Sequence, residues 1–283
     1  MARPLRIEYP GALYHVISRG NGYQNIFRND KDCHKFLDWI ESAVDIHNLI
    51  CHAYCLMDNH YHLLIETPEG NLSKAMRDIN GNYTQWFNAR HKTVGHLFQG
   101  RYKAFVIEKE IYLLEVARYI ALNPVRDNLV NHPREWKWSS YRYTAETKNQ
   151  PVWLQSDWIL GFFGKKKTEA RKQYRQFVKE GLGKNPYDDA SHGILLGSPQ
   201  FIHWLWETQT NDKEELKEIP RQQRTVGRPS LEDLFYSVTT IQERGNAIRF
   251  ARKRCGYLNS EIARYLGLSN STIGKIVNNK YHV

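Results

Sequence analysis

Two strand-like runs, Leu49 to Met57 (LICHAYCLM) and His60 to Thr67 (HYHLLIET), are separated only by Asp58-Asn59. So short a connection lets them pair only as an antiparallel hairpin. Upstream, Gly11 to Gly20 (GALYHVISRG) is rich in β-branched and aromatic residues and ends at a Gly-Asn-Gly turn. From Asp30 to about His47, Phe36, Leu37, Ile40 and Val44 recur at helical spacing, with Asp30 or Asp32 placed to cap the start. Downstream, Asn71 to about Arg90 reads as a second amphipathic helix and Tyr102 to Glu108 as a fourth strand. The order strand, helix, strand, strand, helix, strand predicts an α+β fold with a ferredoxin-like βαββαβ domain. A further helix, from about Lys109 to Leu122, is expected to stop at Asn123-Pro124, because proline lacks an N–H donor and restricts the residue before it.

After Tyr143 the pattern becomes helical. Trp153 to Phe163 and Thr168 to Gly181 read as helices split by Lys165-Lys166-Lys167. Thr208 to Pro229 is charged and poor in apolar residues, as a linker is. The chain therefore divides into 1–147, the βαββαβ domain with its extra helix; 148–207, a helical connecting region; 208–229, a charged linker; and 230–283, an all-α domain. In the last segment Ser230 is placed to cap a helix (SLEDLFYSVTTI), and Ser260 to Val277 reads as a helix-turn-helix. Ser260 would cap its first helix, Gly267 would permit the turn, and Ile273, Ile276 and Val277 would face the core. Asn270, Ser271, Thr272 and Lys275 then stand at the exposed start of the second helix, where such modules touch bases in duplex DNA. From Arg244 onward eight Lys and Arg face only Glu261, which fits a polyanionic partner better than an inert helical bundle.

The whole chain carries a formal charge of +10, and its 17 Tyr and 8 Trp interleave with the basic residues. Four cysteines lack the spacing of a disulfide framework, and no run approaches the length of a membrane span. The expectation is a cytoplasmic protein with reduced thiols and no membrane partner.

Two residue pairs carry chemistry. His60 and His62 lie two apart on a strand, so both imidazoles project from one face. Tyr119 and Asn123 lie four apart on a helix and share a face. Two imidazoles and an amide oxygen suit a divalent cation such as Mg²⁺ or Mn²⁺. A phenol beside it is a candidate nucleophile that needs activation, or an electrophile already polarised by the metal. Each pair alone also fits ordinary packing. Cys51 and Cys55, read as sharing one strand face, lie too far apart along the chain to meet on one zinc with the histidines.

The surrounding residues carry a resemblance. Met57-Asp58-Asn59-His60-Tyr61-His62-Leu63-Leu64 resembles the HUH signature of single-tyrosine transposases. Ala117-Arg118-Tyr119-Ile120-Ala121-Leu122-Asn123-Pro124-Val125-Arg126 is similar to the nucleophile helix of the REP-associated tyrosine transposase branch. Tyr14 to Asn21 (YHVISRGN) with Ile26-Phe27, and His96 to Tyr102 (HLFQGRY), resemble that branch's first strand and its entry to the fourth. The resemblance covers about residues 5–145. It implies a metal-dependent nuclease and strand transferase acting on single-stranded or hairpin DNA, with His60, His62 and Asn123 as metal ligands. Tyr119 would form a 5′-phosphotyrosine link, leaving a free 3′-hydroxyl and needing no nucleotide cofactor. Many relatives carry basic residues where this chain has Gly22-Tyr23-Gln24, so how that loop holds DNA is open. Arg19, Arg101 and Arg126 are candidate phosphate contacts that would serve equally as structural hydrogen-bond donors. From Ser230 onward the layout resembles the C-terminal DNA-binding domain of the chromosomal replication initiator.

Two other readings stay open at this point: a domesticated DNA-binding regulator with an idle catalytic set, and an RNA-binding protein using aromatics on an open sheet face. Monomer and homodimer are both compatible with the resemblance.

Overall fold

The computed structural model describes residues 7–146, 149–188, 194–209, 229–236, 238–253 and 255–278. Strand β3 (His60–Thr67) is buried along its whole length, which a strand achieves only when both sheet faces are covered. It lies between β2 (Ile50–Met57) and β1 (Ala12–Arg19), with β4 (Lys103–Ile107) and the short β5 (Leu195–Leu196) beyond, in the order β2-β3-β1-β4-β5. Hydrogen-bonded neighbours among the first four strands are antiparallel, the ferredoxin-like arrangement the sequence predicts, and β5 joins the edge parallel to β4.

One face is covered by α1 (Asp30–His47) and α2 (Leu72–His91). There Tyr61 meets the Phe36 ring at 4.6 Å, and its hydroxyl donates to Asn80 Oδ1 at 2.7 Å. The other face is covered by α3 (Lys109–Arg126), where Leu13, Cys55 and Leu64 share a core with Val116, Ala117 and Ile120. Helices thus cover both faces of the sheet among the described residues.

Three local expectations are corrected. Asn29, rather than Asp30 or Asp32, caps α1, its Oδ1 accepting from Lys31 N at 3.1 Å. Asp32 turns inward and is fully buried; it accepts from Arg28 N at 2.8 Å and lies 2.9 Å from His91 Nε2 and 3.3 Å from Arg90 Nε. A bulge at His52 shifts the β2–β3 register, so Cys51 pairs with Ile65 and Cys55 with His62. Cross-strand partners share a face, so the two thiols point to opposite faces and cannot serve one metal. Both are free, and burial pushes Cys51 up to about 12. Finally, α3 does not stop at Leu122. It runs through Pro124 to Arg126, because proline removes only the donor to the Ile120 carbonyl in the last turn. The end is closed instead by Asp127 N to Asn123 O at 3.0 Å and Leu129 N to Pro124 O at 2.9 Å.

The first compact unit continues to Gly197. The helices α4 (Tyr141–Ala145), α5 (Asp157–Gly161) and α6 (Lys167–Lys179) thicken the α3 layer through Tyr141, Ile159, Leu160, Ala170, Tyr174 and Val178. Within the expected helix from Trp153 to Phe163, only Asp157–Gly161 is α-helical.

A second unit begins at Ser198 with α7 (Pro199–Gln209), followed by α8 (Leu231–Phe235), α9 (Ile241–Lys253), α10 (Asn259–Leu266) and α11 (Asn270–Val277). Most of the expected linker, residues 210–228, lies outside the described residues. Ser230 caps as expected, but its helix ends at Phe235. Ile248, Ala251, Ile262, Ala263, Ile273 and Ile276 form the core, and Gly267 makes the turn between α10 and α11 with φ 66°. Ser260 lies inside α10 rather than capping it; Glu261 instead accepts from Leu258 N at 2.6 Å. Ser269 caps α11, accepting from Thr272 N at 3.1 Å. Among the described residues no helix is long and apolar enough to cross a membrane.

Asp32 gathers cationic and N–H donors in the α1–α2 layer. Asp32→Ala is expected to destabilise the chain by about 3 kcal/mol, because it strands buried donors without their acceptor. Urea unfolding at neutral pH measures it, and a change within about 0.5 kcal/mol would show that this cluster is not structural.

Candidate active site

The strand period places His60, His62, Leu64 and Glu66 on the face of β3 that α3 covers. At one end Lys109, the first residue of α3, puts its ammonium 2.7 Å from both Glu66 oxygens. From Glu66 back to His60 is about 20 Å of strand at 3.3 Å per residue. From Lys109 to Asn123 is about 21 Å of helix at 1.5 Å per residue. The two lengths match, so a helix anchored at Lys109 delivers Tyr119 and Asn123 to the end of β3 that carries the histidines.

There the His60 and His62 rings lie 4.9 Å apart, and the Tyr119 ring stands edge-on to His62 at 6.1 Å. Asn123 is buried; its Nδ2 donates to the Tyr119 carbonyl at 2.9 Å, which turns Oδ1 into the end available to a cation. His60 Nδ1 donates to Asn59 Oδ1 at 2.7 Å and keeps its lone pair on Nε2. His62 Nδ1 shares a 2.8 Å hydrogen bond with His15 Nε2, and His62 Nε2 is buried without a partner.

Burial holds all three imidazoles neutral at neutral pH. It brings His15 down to about 3 and, with the Arg19 charge adding to it, His60 to about 4. His62 lies well below its ordinary value through burial and its His15 and His60 neighbours. Neutral imidazoles are what a metal site requires. Burial also raises the Tyr119 phenol, opposed chiefly by Arg126. The Arg126 guanidinium carbon sits 4.3 Å over the Tyr119 ring, and Nη2 donates to the Gly181 carbonyl at 3.4 Å and to the Lys184 carbonyl.

The sequence-predicted residues thus fall into three places. His60, His62, Tyr119, Asn123 and Arg126 come together, with the exposed Arg19 close enough for its charge to act on His60, His62 and Tyr119. Arg101 is exposed just ahead of β4. Asn270, Ser271 and Lys275 are exposed and Thr272 half-buried on α11, in the second unit. Among the described residues no group of three or more His, Cys, Asp or Glu could hold a metal.

Two residues escaped the sequence reading. His15 is fully buried beside His62, and strand alternation with Leu13 could have placed it there. Tyr187 bonds through its hydroxyl to His15 Nδ1, and its ring lies 5.2 Å from Tyr119 and 4.6 Å from Phe105. It stands in no periodic pattern that would have flagged it.

Comparison with curated proteins finds no match. Among solved structures, the chain is similar to a REP-associated tyrosine transposase bound to a REP hairpin, at 16% identity over 55% of this chain and 92% of that one, TM-score 0.45. It is also similar to a Deinococcus radiodurans protein designated a transposase, at 16% identity over 42% and 95%, TM-score 0.31. A third is the tRNA(His) guanylyltransferase of Saccharomyces cerevisiae, at 12% identity over 70% and 87%, TM-score 0.33. At these scores the likenesses carry no functional weight. The family described as "Transposase IS200 like" matches residues 9–123. The matched stretch, which is less than half of the chain, holds His60, His62, Tyr119 and Asn123.

Proposed function

We propose that the chain is a metal-dependent, single-tyrosine nuclease and strand transferase of single-stranded DNA, of the REP-associated kind, acting at hairpin or repeat sequences. The observation that carries the reading is the convergence of two neutral imidazoles and a buried amide on the helix turn that bears Tyr119. His60 and His62 through Nε2, and Asn123 through Oδ1, would hold Mg²⁺ or Mn²⁺. The unpartnered His62 Nε2 supports the fit, since a buried polar atom without a partner is costly unless a ligand completes it. When bound, the cation would neutralise and polarise the scissile phosphate.

The chain's own groups do the rest. Tyr119 Oη attacks phosphorus and gives up its proton to water. The bond from phosphorus to the 3′ oxygen breaks, and that oxygen takes a proton and leaves as a hydroxyl. A 5′-phosphotyrosine ester remains, which conserves the bond energy for rejoining. Arg126 holds its charge against the ring and favours the phenolate that burial disfavours. Arg19, and Arg101 further out, supply cations for the flanking phosphates.

In the second unit, α10 and α11 would form a helix-turn-helix for duplex DNA. Asn270, Ser271, Thr272 and Lys275 would meet the groove. Monomer and homodimer remain equally compatible with this reading.

Tyr119→Phe is expected to abolish covalent capture of labelled single-stranded hairpin DNA on a denaturing gel with Mn²⁺, while binding persists. Capture by the variant would show that another nucleophile acts. Removal of residues 230–283 is expected to weaken duplex binding and flatten its dependence on salt. An unchanged slope in fluorescence anisotropy titrations would remove α11 from the interface.

A further inference from the structure

Two side chains beyond the proposed ligands, Tyr187 and His15, form one hydrogen-bonded line with His62 into the site. The Tyr187 hydroxyl bonds to His15 Nδ1, His15 Nε2 lies 2.8 Å from His62 Nδ1, and His62 Nε2 is buried without a partner. Each imidazole nitrogen is a donor or an acceptor, never both. The line therefore has two proton arrangements. In one, Tyr187 donates to His15 Nδ1, His15 Nε2–H donates to His62 Nδ1, and the last hydrogen falls on His62 Nε2. That buries an N–H with nothing to accept it and blocks the nitrogen for a cation. In the other, His62 Nδ1–H donates to His15 Nε2, His15 Nδ1–H donates to the Tyr187 oxygen, and His62 Nε2 presents a lone pair. Only the second arrangement leaves His62 Nε2 the lone pair that a cation needs.

We infer that His15 and Tyr187 are positioning residues that fix the Nδ1–H tautomer and the ring orientation of His62 for the cation. This rests on the metal reading given above. Ring contacts agree with a fixed geometry: His15 stacks on His62 at 5.0 Å and on Tyr187 at 5.4 Å. Phe105 closes the stack at 5.9 Å from His15. Metal-bound histidines are commonly oriented in this way by a partner on the other nitrogen, and loss of that partner weakens the metal about 10- to 100-fold. Here the end of the line lies outside the family match, which stops at residue 123. The same stretch, Gly181 to Tyr187, supplies the carbonyls that hold Arg126 over Tyr119. The segment after α6 is thereby part of the site and not an appendage to it.

The test uses the full chain and two readouts, neither of which is activity. In the first, free Mn²⁺ is followed by electron paramagnetic resonance during titration. His15→Phe, which keeps a planar ring but no nitrogen, is expected to weaken Mn²⁺ about 10-fold or more. His15→Gln, which restores an acceptor near the Nε2 position, should recover part of that loss. Tyr187→Phe, one bond further out, should weaken binding by a few-fold and less than His15→Phe. In the second readout, ¹⁵N-histidine NMR without metal should find the hydrogen of His62 on Nδ1 in the wild type, and redistributed toward Nε2 in His15→Phe. Equal Mn²⁺ affinity in wild type and His15→Phe, with His62→Ala inactive in binding, would overturn the inference. So would an Nε2–H tautomer on wild-type His62. A wild type that binds Mn²⁺ no better than His62→Ala would overturn the metal reading separately, while the tautomer still decides the relay.

Discussion

The burial of β3 on both faces is the constraint on which the rest of the structure depends. With α1 and α2 on one side and α3 on the other, strand alternation is a strict sorting rule. Tyr61, Leu63 and Ile65 go to the α1–α2 layer, and His60, His62, Leu64 and Glu66 go beneath α3. A one-residue slip would send the histidines into the layer that holds Tyr61 and Phe36, away from Tyr119. The Lys109–Glu66 contact then fixes α3 lengthwise. Face and reach together place the tyrosine, so the site is a consequence of the core and not an addition to it.

Much of this was legible in the sequence, for definable reasons. The Asp58-Asn59 turn and the two-residue period gave the hairpin and the shared face of His60 and His62, and the four-residue spacing gave Tyr119 and Asn123. What failed were features set by tertiary context. A proline normally argues for a helix end, yet Pro124 sits where losing one donor matters little, and α3 continues. The His52 bulge leaves no trace in the apolar pattern, because β2 is buried on both sides of it. Tyr187 reaches the site through a loop between α6 and β5, and loop geometry has no period to read.

The continuation of α3 has a chemical consequence. Had the helix stopped at Leu122, Asn123 would have left the face that Tyr119 occupies. Because it remains helical, its Nδ2 donates back one turn to the Tyr119 carbonyl, and the amide is fixed in orientation with the oxygen free. The Arg126 side chain, still on the helix, can then return over the Tyr119 ring from the C-terminal side. Three of the site's side chains share one rigid element, which limits their relative motion to rotamer changes.

Burial acts on the two halves of this chemistry with opposite effect. Desolvation favours neutral forms. For the ligand role proposed for His60 and His62 that is an advantage, since a protonated imidazole cannot bind a cation and burial lowers both groups. For the nucleophile proposed at Tyr119 the same desolvation would be an obstacle, because such a phenol must lose its proton and burial raises it. One dry environment cannot serve both roles without a local positive charge. Arg126 is such a charge, placed over the ring and held there by main-chain carbonyls rather than by a carboxylate that would cancel it. On the proposed function, the arrangement would keep the ligands neutral by burial and the nucleophile reachable by charge, which accounts for an arginine on the same helix, one turn past Asn123, lying over the tyrosine it follows.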